Sequence, residues 1–281
     1  LKRISEQETG GDAGDGETPL AKGGYEIGTL GVGSVTQMIQ DSLAGHIDNG
    51  YALVRPPGHH AVRAGGMGYC LFSNLGVAIS VAKKENPGIR IAVVDWDVHH
   101  GNGTEAIFLN DPNILTISLH QDRLYPHTTG DVDVVGVGTN INIPLPPGTG
   151  HGGYYYAFDE VIVPAIKKFK PDIIAVASGF DSSVYDPLGR MMITAEGYSK
   201  LTAILMECAA APRKVVDARR EIGPPRPDAG FVRDRIHGPP RSRLELQQPA
   251  RLAGAGQMQP RPCLDEGPRL CRPAGRARHC P

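Results

Sequence analysis

A chain of 281 residues can hold one large domain or two small ones, and a hydrophobic content of 40% suffices for a core. The net charge of −1 hides an asymmetry: residues 1–211 carry 14 basic and 23 acidic side chains, a balance of −9, whereas residues 212–281 carry 15 and 7, a balance of +8. No run of 18 or more apolar residues occurs, so no membrane span is expected and no signal peptide is read. Five cysteines without a regular framework point to a reducing, cytoplasmic setting, and a first residue Leu1 reads as the start of a fragment.

Residues 1–26, rich in Gly and acids, read as a loop. Leu30, Val35, Met38, Ile39 and Leu43 fall near helical spacing and predict a helix over 27–45. Tyr51–Val54 is a short strand that Arg55-Pro56-Pro57-Gly58 must end, because consecutive prolines offer no ladder donors. His59 and His60 follow, then a Gly-rich loop over 63–69 and a helix to about Lys84, closed by Asn86-Pro87-Gly88. Ile91–Val94 is a β-branched run suited to a strand covered on both faces. Ile114–Leu119 is another such run, ending at His120, and Ile141–Leu145 is a shorter one. An amphipathic helix over 154–169 precedes the run Ile173–Ser178, which ends at Gly179-Phe180-Asp181. Thr194 is the expected N-cap of a last helix reaching about Cys208. Strands alternating with helices imply an α/β fold with a parallel central sheet.

The chemistry gathers around Ile91–Gly103. Asp95, Asp97 and His99 are spaced by two, so on extended backbone all three share a face. Carboxylates and an imidazole at the carboxyl end of a strand stand where open α/β sheets place ligands, and Asp with His suits a divalent metal such as zinc. The alternative is a solvated strand end followed by a glycine turn, and a third ligand elsewhere decides between them. Four apolar runs end in such residues: His59 and His60, Asp95 to His100, His120, and Asp181. In a parallel sheet these tips lie along one edge. Asp181 is then the natural third ligand beside Asp97 and His99, leaving an open position as catalytic zinc sites do. Hydrolysis of an amide also needs a base for water and a proton donor for the leaving amine, roles open to His59 and His60. Asp95 would orient one imidazole and Asn102 the other without a charge.

Three motifs carry a resemblance: RPPGHHA (Arg55 to Ala61), VDWDVHHGNG (Val94 to Gly103) and GFDSSVYDPLG (Gly179 to Gly189). Over residues 20 to 208 the chain resembles the zinc-dependent histone deacetylase family, in its class II and bacterial branch. The resemblance implies an arginase/deacetylase-like three-layer α/β fold and hydrolysis of acetyl-lysine or a related acetylated amine, such as an acetylated polyamine. It also implies zinc at Asp97, His99 and Asp181, with His60 as general base and His59 an electrostatic partner held by Asp95. Gly68 and Tyr69 would line the narrow tunnel for the acyl-lysine stem, with Tyr125 as the opposing wall. A structural potassium near Asp95, Asp97, His99, Ser118 and Leu119 is likewise implied.

The pattern breaks after residue 211. The family closes its site with a strand delivering a Gly-Gly-Tyr motif, yet this chain has no tyrosine after Tyr198. From Pro212 it holds 12 of its 24 prolines, and 14 arginines against six before. That shift divides the chain into a partial catalytic domain, 1–211, and a Pro/Arg-rich tail, 212–281. The tail reads as sequence in another frame, an unrelated fusion or a disordered basic linker. Nucleic-acid binding is not favoured, because aromatic residues do not interleave the arginines. Cys263, Cys271 and Cys280 receive no role, and the oligomeric state is not readable. The sheet is expected to be incomplete, and turnover weak or absent. Two further readings are a dimanganese arginase or agmatinase type and a non-catalytic module that binds acetylated tails.

Overall fold

The strand Ile91–Asp95 organises the sheet. The computed structural model describes residues 1–209 and the backbone of the strand at 214–220. Before the sheet come a short helix α1 (Lys2–Ser5) and a two-stranded antiparallel pair, β1 (Gly11–Asp12) and β2 (Pro19–Leu20), where a loop was expected. Then follow α2 (Gly24–Ala44), β3 (Asn49–Leu53), α3 (Asn74–Glu85), β4 (Ile91–Asp95), α4 (Asn102–Phe108), β5 (Ile114–Gln121) and β6 (Asn140–Leu145). The chain continues through α5 (His151–Ala157), a π-helical stretch (Phe158–Ile162), α6 (Val163–Phe169), β7 (Ile173–Gly179), α7 (Ala195–Ala209) and β8 (Lys214–Arg220). The six-stranded sheet has the order β3-β8-β7-β4-β5-β6, and every neighbouring pair is parallel.

Alternation along β4 builds the layers. Ile91 and Val93 pack with Val35, Met38 and Ile39 of α2 and Leu75, Ala78 and Ile79 of α3. Ala92 and Val94 face the other way, into a cluster with Tyr154, Phe158, Ile162 and Ile166 from the α5 to α6 segment and Leu201 and Leu205 of α7. Both faces are therefore dry, and each buried Ile or Val contributes about 1.5–3 kcal/mol as an upper figure. The arrangement is the expected three-layer α/β fold.

Details depart from the sequence reading. The helix expected over 154–169 is broken into α5, a π-helical stretch and α6, a widening that apolar periodicity does not reveal. Thr194 does stand at the expected N-cap position, directly before Ala195 with its carbonyl accepting from Tyr198 N, but its hydroxyl turns to His151 Nε2 at 3.1 Å. The larger correction concerns the sheet after α7. A strand does form there: β8 lies between β3 and β7, with Val215 paired to both Asn49 and Ile174. Two parallel neighbours present unpaired backbone on facing edges, and the β-branched pair Val215-Val216 suits a strand between them. The sheet thus reaches past the compositional boundary at 211. The remainder of the tail, with Cys263, Cys271 and Cys280, lies outside the described residues.

Candidate active site at the carboxyl edge of the sheet

Because every strand of the six-stranded sheet is parallel to its neighbours, β3, β4, β5 and β7 deliver their carboxyl ends to one edge. β4 ends at Asp95, which is 2% exposed and serves two donors: His59 Nδ1 donates to Oδ2 at 2.8 Å, and Asp97 N to Oδ1 at 3.1 Å. Burial raises the Asp95 carboxyl, and the neighbouring His59 opposes that rise. Gly101 makes the pairing possible, since a Cβ there would stand 2.3 Å from Asp95 Oδ2.

His59 and His60 follow the Pro56-Pro57-Gly58 stop and pack on each other with ring centroids 3.9 Å apart and ring planes tilted by 40°. His60 Nδ1 donates to Asn102 Oδ1 at 2.7 Å, at the start of α4. With Nδ1 carrying the hydrogen, Nε2 holds the lone pair, and it is buried with no hydrogen bond among the described residues. Burial, then the adjacent His59, holds His60 well below the usual imidazole range, so it is neutral at pH 7. The sequence reading paired each imidazole with these partners.

Asp97, His99 and Asp181 converge. His99 Nδ1 lies 2.9 Å from Asp97 Oδ1 and 3.1 Å from Asp181 Oδ2, and one ligand atom of each residue lies within 4.8 Å of the others, all buried. Asp181 is held by Val98 N, which donates to Oδ1 at 2.8 Å. His59 Nε2 stands 3.6 Å from Asp97 Oδ2. Burial lowers His99, but hydrogen bonds to Asp181 and Asp97 outweigh it and push the imidazole up to about 9. Two buried carboxylates demand positive charge between them. A divalent ion with oxygen and nitrogen ligands supplies that charge, so the donor set fits zinc.

Above these groups stands Tyr125, its ring 5.1 Å from His60 and 6.2 Å from His99. Gly68 is wedged between: at φ 55, a Cβ would approach His60 Cδ2 to 2.3 Å and Tyr125 Cε1 to 3.0 Å. Tyr69 follows at φ 64 and is 48% exposed. Of the three residues expected to line a tunnel, Gly68 and Tyr125 therefore pack against His60, and Tyr69 follows Gly68 in the chain. Burial, then Asp15, raises the Tyr125 phenol to about 12.

Not every polar strand end joins this group. His120 packs on His100 with centroids 4.8 Å apart, and bonds Ser118 Oγ and the Gly130 carbonyl. His100 sits 3.3 Å from Glu105 Oε2 and bonds Thr129 Oγ1. These residues form a second polar cluster behind Ser118, so the expectation that His120 meets the others at one site is corrected. The sequence reading missed Asp15 and Thr18, which reach Gly68, Tyr69 and Tyr125 from the amino-terminal loop. No periodicity marks them, although Gly-Asp-rich spacing does signal a turn built on side-chain caps.

The histone deacetylase domain matches residues 1–217 of this chain. The chain belongs to the histone deacetylase family. It is 40% identical over 258 residues to a histone deacetylase-like amidohydrolase of Pseudomonas aeruginosa, covering 85% of this chain and 68% of that one. It is 38% identical over 212 residues to a probable deacetylase of Archaeoglobus fulgidus, covering 73% of this chain and 57% of the relative. The crystal structure of the HDA15 HD domain superposes with a TM-score of 0.73 at 34% identity, covering 79% of this chain and 65% of that one. The chain thus spans 57–68% of the length of these relatives. The fold is deacetylase-like, and the relatives' names place the chain among hydrolases acting on amides. No helix among the described residues is long and apolar enough to cross a membrane.

Proposed function

We propose that this chain is a zinc-dependent deacetylase fold whose site takes an acetylated amine, either an acetyl-lysine side chain or an acetylated polyamine. One observation carries the reading: two adjoining, buried imidazoles with different Nδ1 partners stand beside a convergent Asp-His-Asp group. Asp97, His99 and Asp181 would hold the metal. When bound, zinc supplies a Lewis acid for the amide carbonyl and for water. His60, kept neutral and fixed through Asn102, takes the proton of the attacking water at Nε2 and returns it to the leaving nitrogen. His59, tied to Asp95, is its electrostatic partner, and that pair fixes the tautomer as well as the ring plane. Gly68, Tyr69 and Tyr125 wall the alkyl stem, for which aromatic faces supply apolar area without a polar demand. A structural potassium near Asp95, Asp97, His99, Ser118 and Leu119 belongs to the same proposal, as does a cytoplasmic setting.

Turnover is proposed to be weak. The resemblance calls for a tyrosine after the last helix, and the sequence has none beyond Tyr198. Loss of one such donor to a developing oxyanion costs about 3–4 kcal/mol, or roughly 10²- to 10³-fold in rate. That same feature favours the second reading, a module that binds acetylated tails without cleaving them. A binuclear arginase-type centre lacks support: among the described residues a single Asp-His-Asp group is found, and Asp95 is committed to His59.

The test is a panel of acetyl-lysine peptides and acetylated polyamines, run with metal analysis and beside a chain restored with a Gly-Gly-Tyr strand. One zinc per chain, slow turnover, and a large gain on restoration support the proposal. Manganese pairs, or peptide binding with no product even after restoration, refute it.

A further inference from the structure

Asp15 lies in a loop that the proposed mechanism does not use. Its Oδ2 accepts from Gly68 N at 2.8 Å, from Thr18 Oγ1 at 3.0 Å and from the Tyr125 hydroxyl at 3.4 Å, while Oδ1 accepts from Glu17 N at 3.0 Å. Thr18, 1% exposed, passes the contact on, because Tyr69 N donates to its Oγ1 at 3.0 Å. A second carboxylate stiffens the loop: Asp12 accepts from Gly14 N, Gly16 N and Thr18 N at 2.7 to 3.1 Å. The loop is also stitched to the glycine-rich segment, where Gly66 N donates to the Ala13 carbonyl at 3.1 Å.

We infer that Asp15 is a positioning residue that fastens the two walls of the channel, Gly68-Tyr69 and Tyr125, to each other above His60. The inference rests on the reading of these residues as the walls of an acyl-amine channel. Gly68 and Tyr69 both sit in left-handed backbone conformations, which cost a non-glycine residue about 1–2 kcal/mol and persist only where neighbours hold them. Their amides are what Asp15 and Thr18 hold. Tyr125 approaches from a separate loop after β5, so its distance from Gly68 is set by a shared acceptor rather than by chain connectivity. Asp15 acts through these groups and does not touch the reacting atoms.

The experiment uses the full chain loaded with zinc, as wild type and as Asp15→Ala, Asp15→Asn and Tyr125→Phe. Amide exchange is followed over 66–70, and binding of an acetyl-lysine peptide by calorimetry. Asp15→Ala should speed exchange at Gly68 and Tyr69 by about 10-fold or more and weaken the peptide by about 5-fold or more, with zinc content unchanged. Asp15→Asn should restore most of both, because its carbonyl oxygen can stand in for Oδ2 while its amide group loses only Glu17 N. Tyr125→Phe should weaken the peptide without altering exchange at Tyr69. Wild-type exchange in Asp15→Ala, no rescue by Asp15→Asn, or unchanged peptide binding would overturn the inference. A wild-type protein that holds zinc but no peptide would instead sink the functional reading, and the exchange comparison would still decide whether Asp15 fastens the walls.

Discussion

Adding one methyl group at Gly68 tests whether the channel wall is built against the imidazoles. Gly68→Ala places a Cβ in a left-handed conformation at a cost of about 1–2 kcal/mol. The same atom would stand 2.3 Å from His60 Cδ2 and 3.0 Å from Tyr125 Cε1, so one ring must move. His60 cannot shift far without lengthening its 2.7 Å bond to Asn102, and a buried donor left unsatisfied costs about 1–3 kcal/mol. The sum is about 2–5 kcal/mol, which for a domain of this size corresponds to a fall in Tm of roughly 4–20 °C. Gly33→Ala is the control: Gly33 is exposed in the middle of α2 with nothing within 4 Å of a new Cβ, so it should gain about 0.5–1 kcal/mol. Thermal unfolding of both variants, with zinc titration of each, reads the effect. Equal melting temperatures for the two would refute the packing of Gly68 against His60.

Three further outcomes follow from individual contacts. Asn102→Ala strips the acceptor from His60 Nδ1 in a fully buried site and should lower stability by about 1–3 kcal/mol, measured by denaturant unfolding. Asp95→Asn should change the hydrogen-bearing nitrogen of His59, because an amide group facing Nδ1 donates to it; long-range nitrogen correlations in imidazole-labelled protein would show Nε2 protonated, and an unchanged tautomer would contradict the role given to Asp95. Burial, then the neighbouring His100, lowers His120 from 6.5 to about 4, so the fold prefers its neutral form. Its contribution is complete above pH 6.5 and is lost as pH falls from there toward 4, amounting to about 2 kcal/mol by pH 5. His120→Gln removes that loss, so the variant should lose less stability than wild type between pH 7 and 5; identical slopes would count against it.

Much of this was readable from residue order because sheet periodicity and strand ends are local signals. Alternation at Ile91 to Val94 foretold a strand covered on both faces, and the ionisable tips after β3, β4 and β7 foretold a shared edge. The same logic misplaced His120, since a strand tip fixes the edge but not which neighbours its side chain meets; Ser118 and Gly130 draw it into another cluster. Asp15 was invisible because its work is done by hydrogen bonds to a backbone amide 53 residues away and to a phenol 110 residues away, which leave no periodic trace. The strand at Lys214–Arg220 was discounted from the arginine-rich composition around it, yet strand pairing is made by backbone between two waiting partners.

The central claim is that Asp97, His99 and Asp181 together hold one divalent ion, and zinc affinity measures it directly. Titration of metal-free protein, read by competition with a chelating dye, should show one tight site per chain that Asp181→Ala weakens by at least about 100-fold, with proton release as His99 gives up its hydrogen. Zinc bound equally well by Asp181→Ala, or two ions bound per chain, would contradict the account.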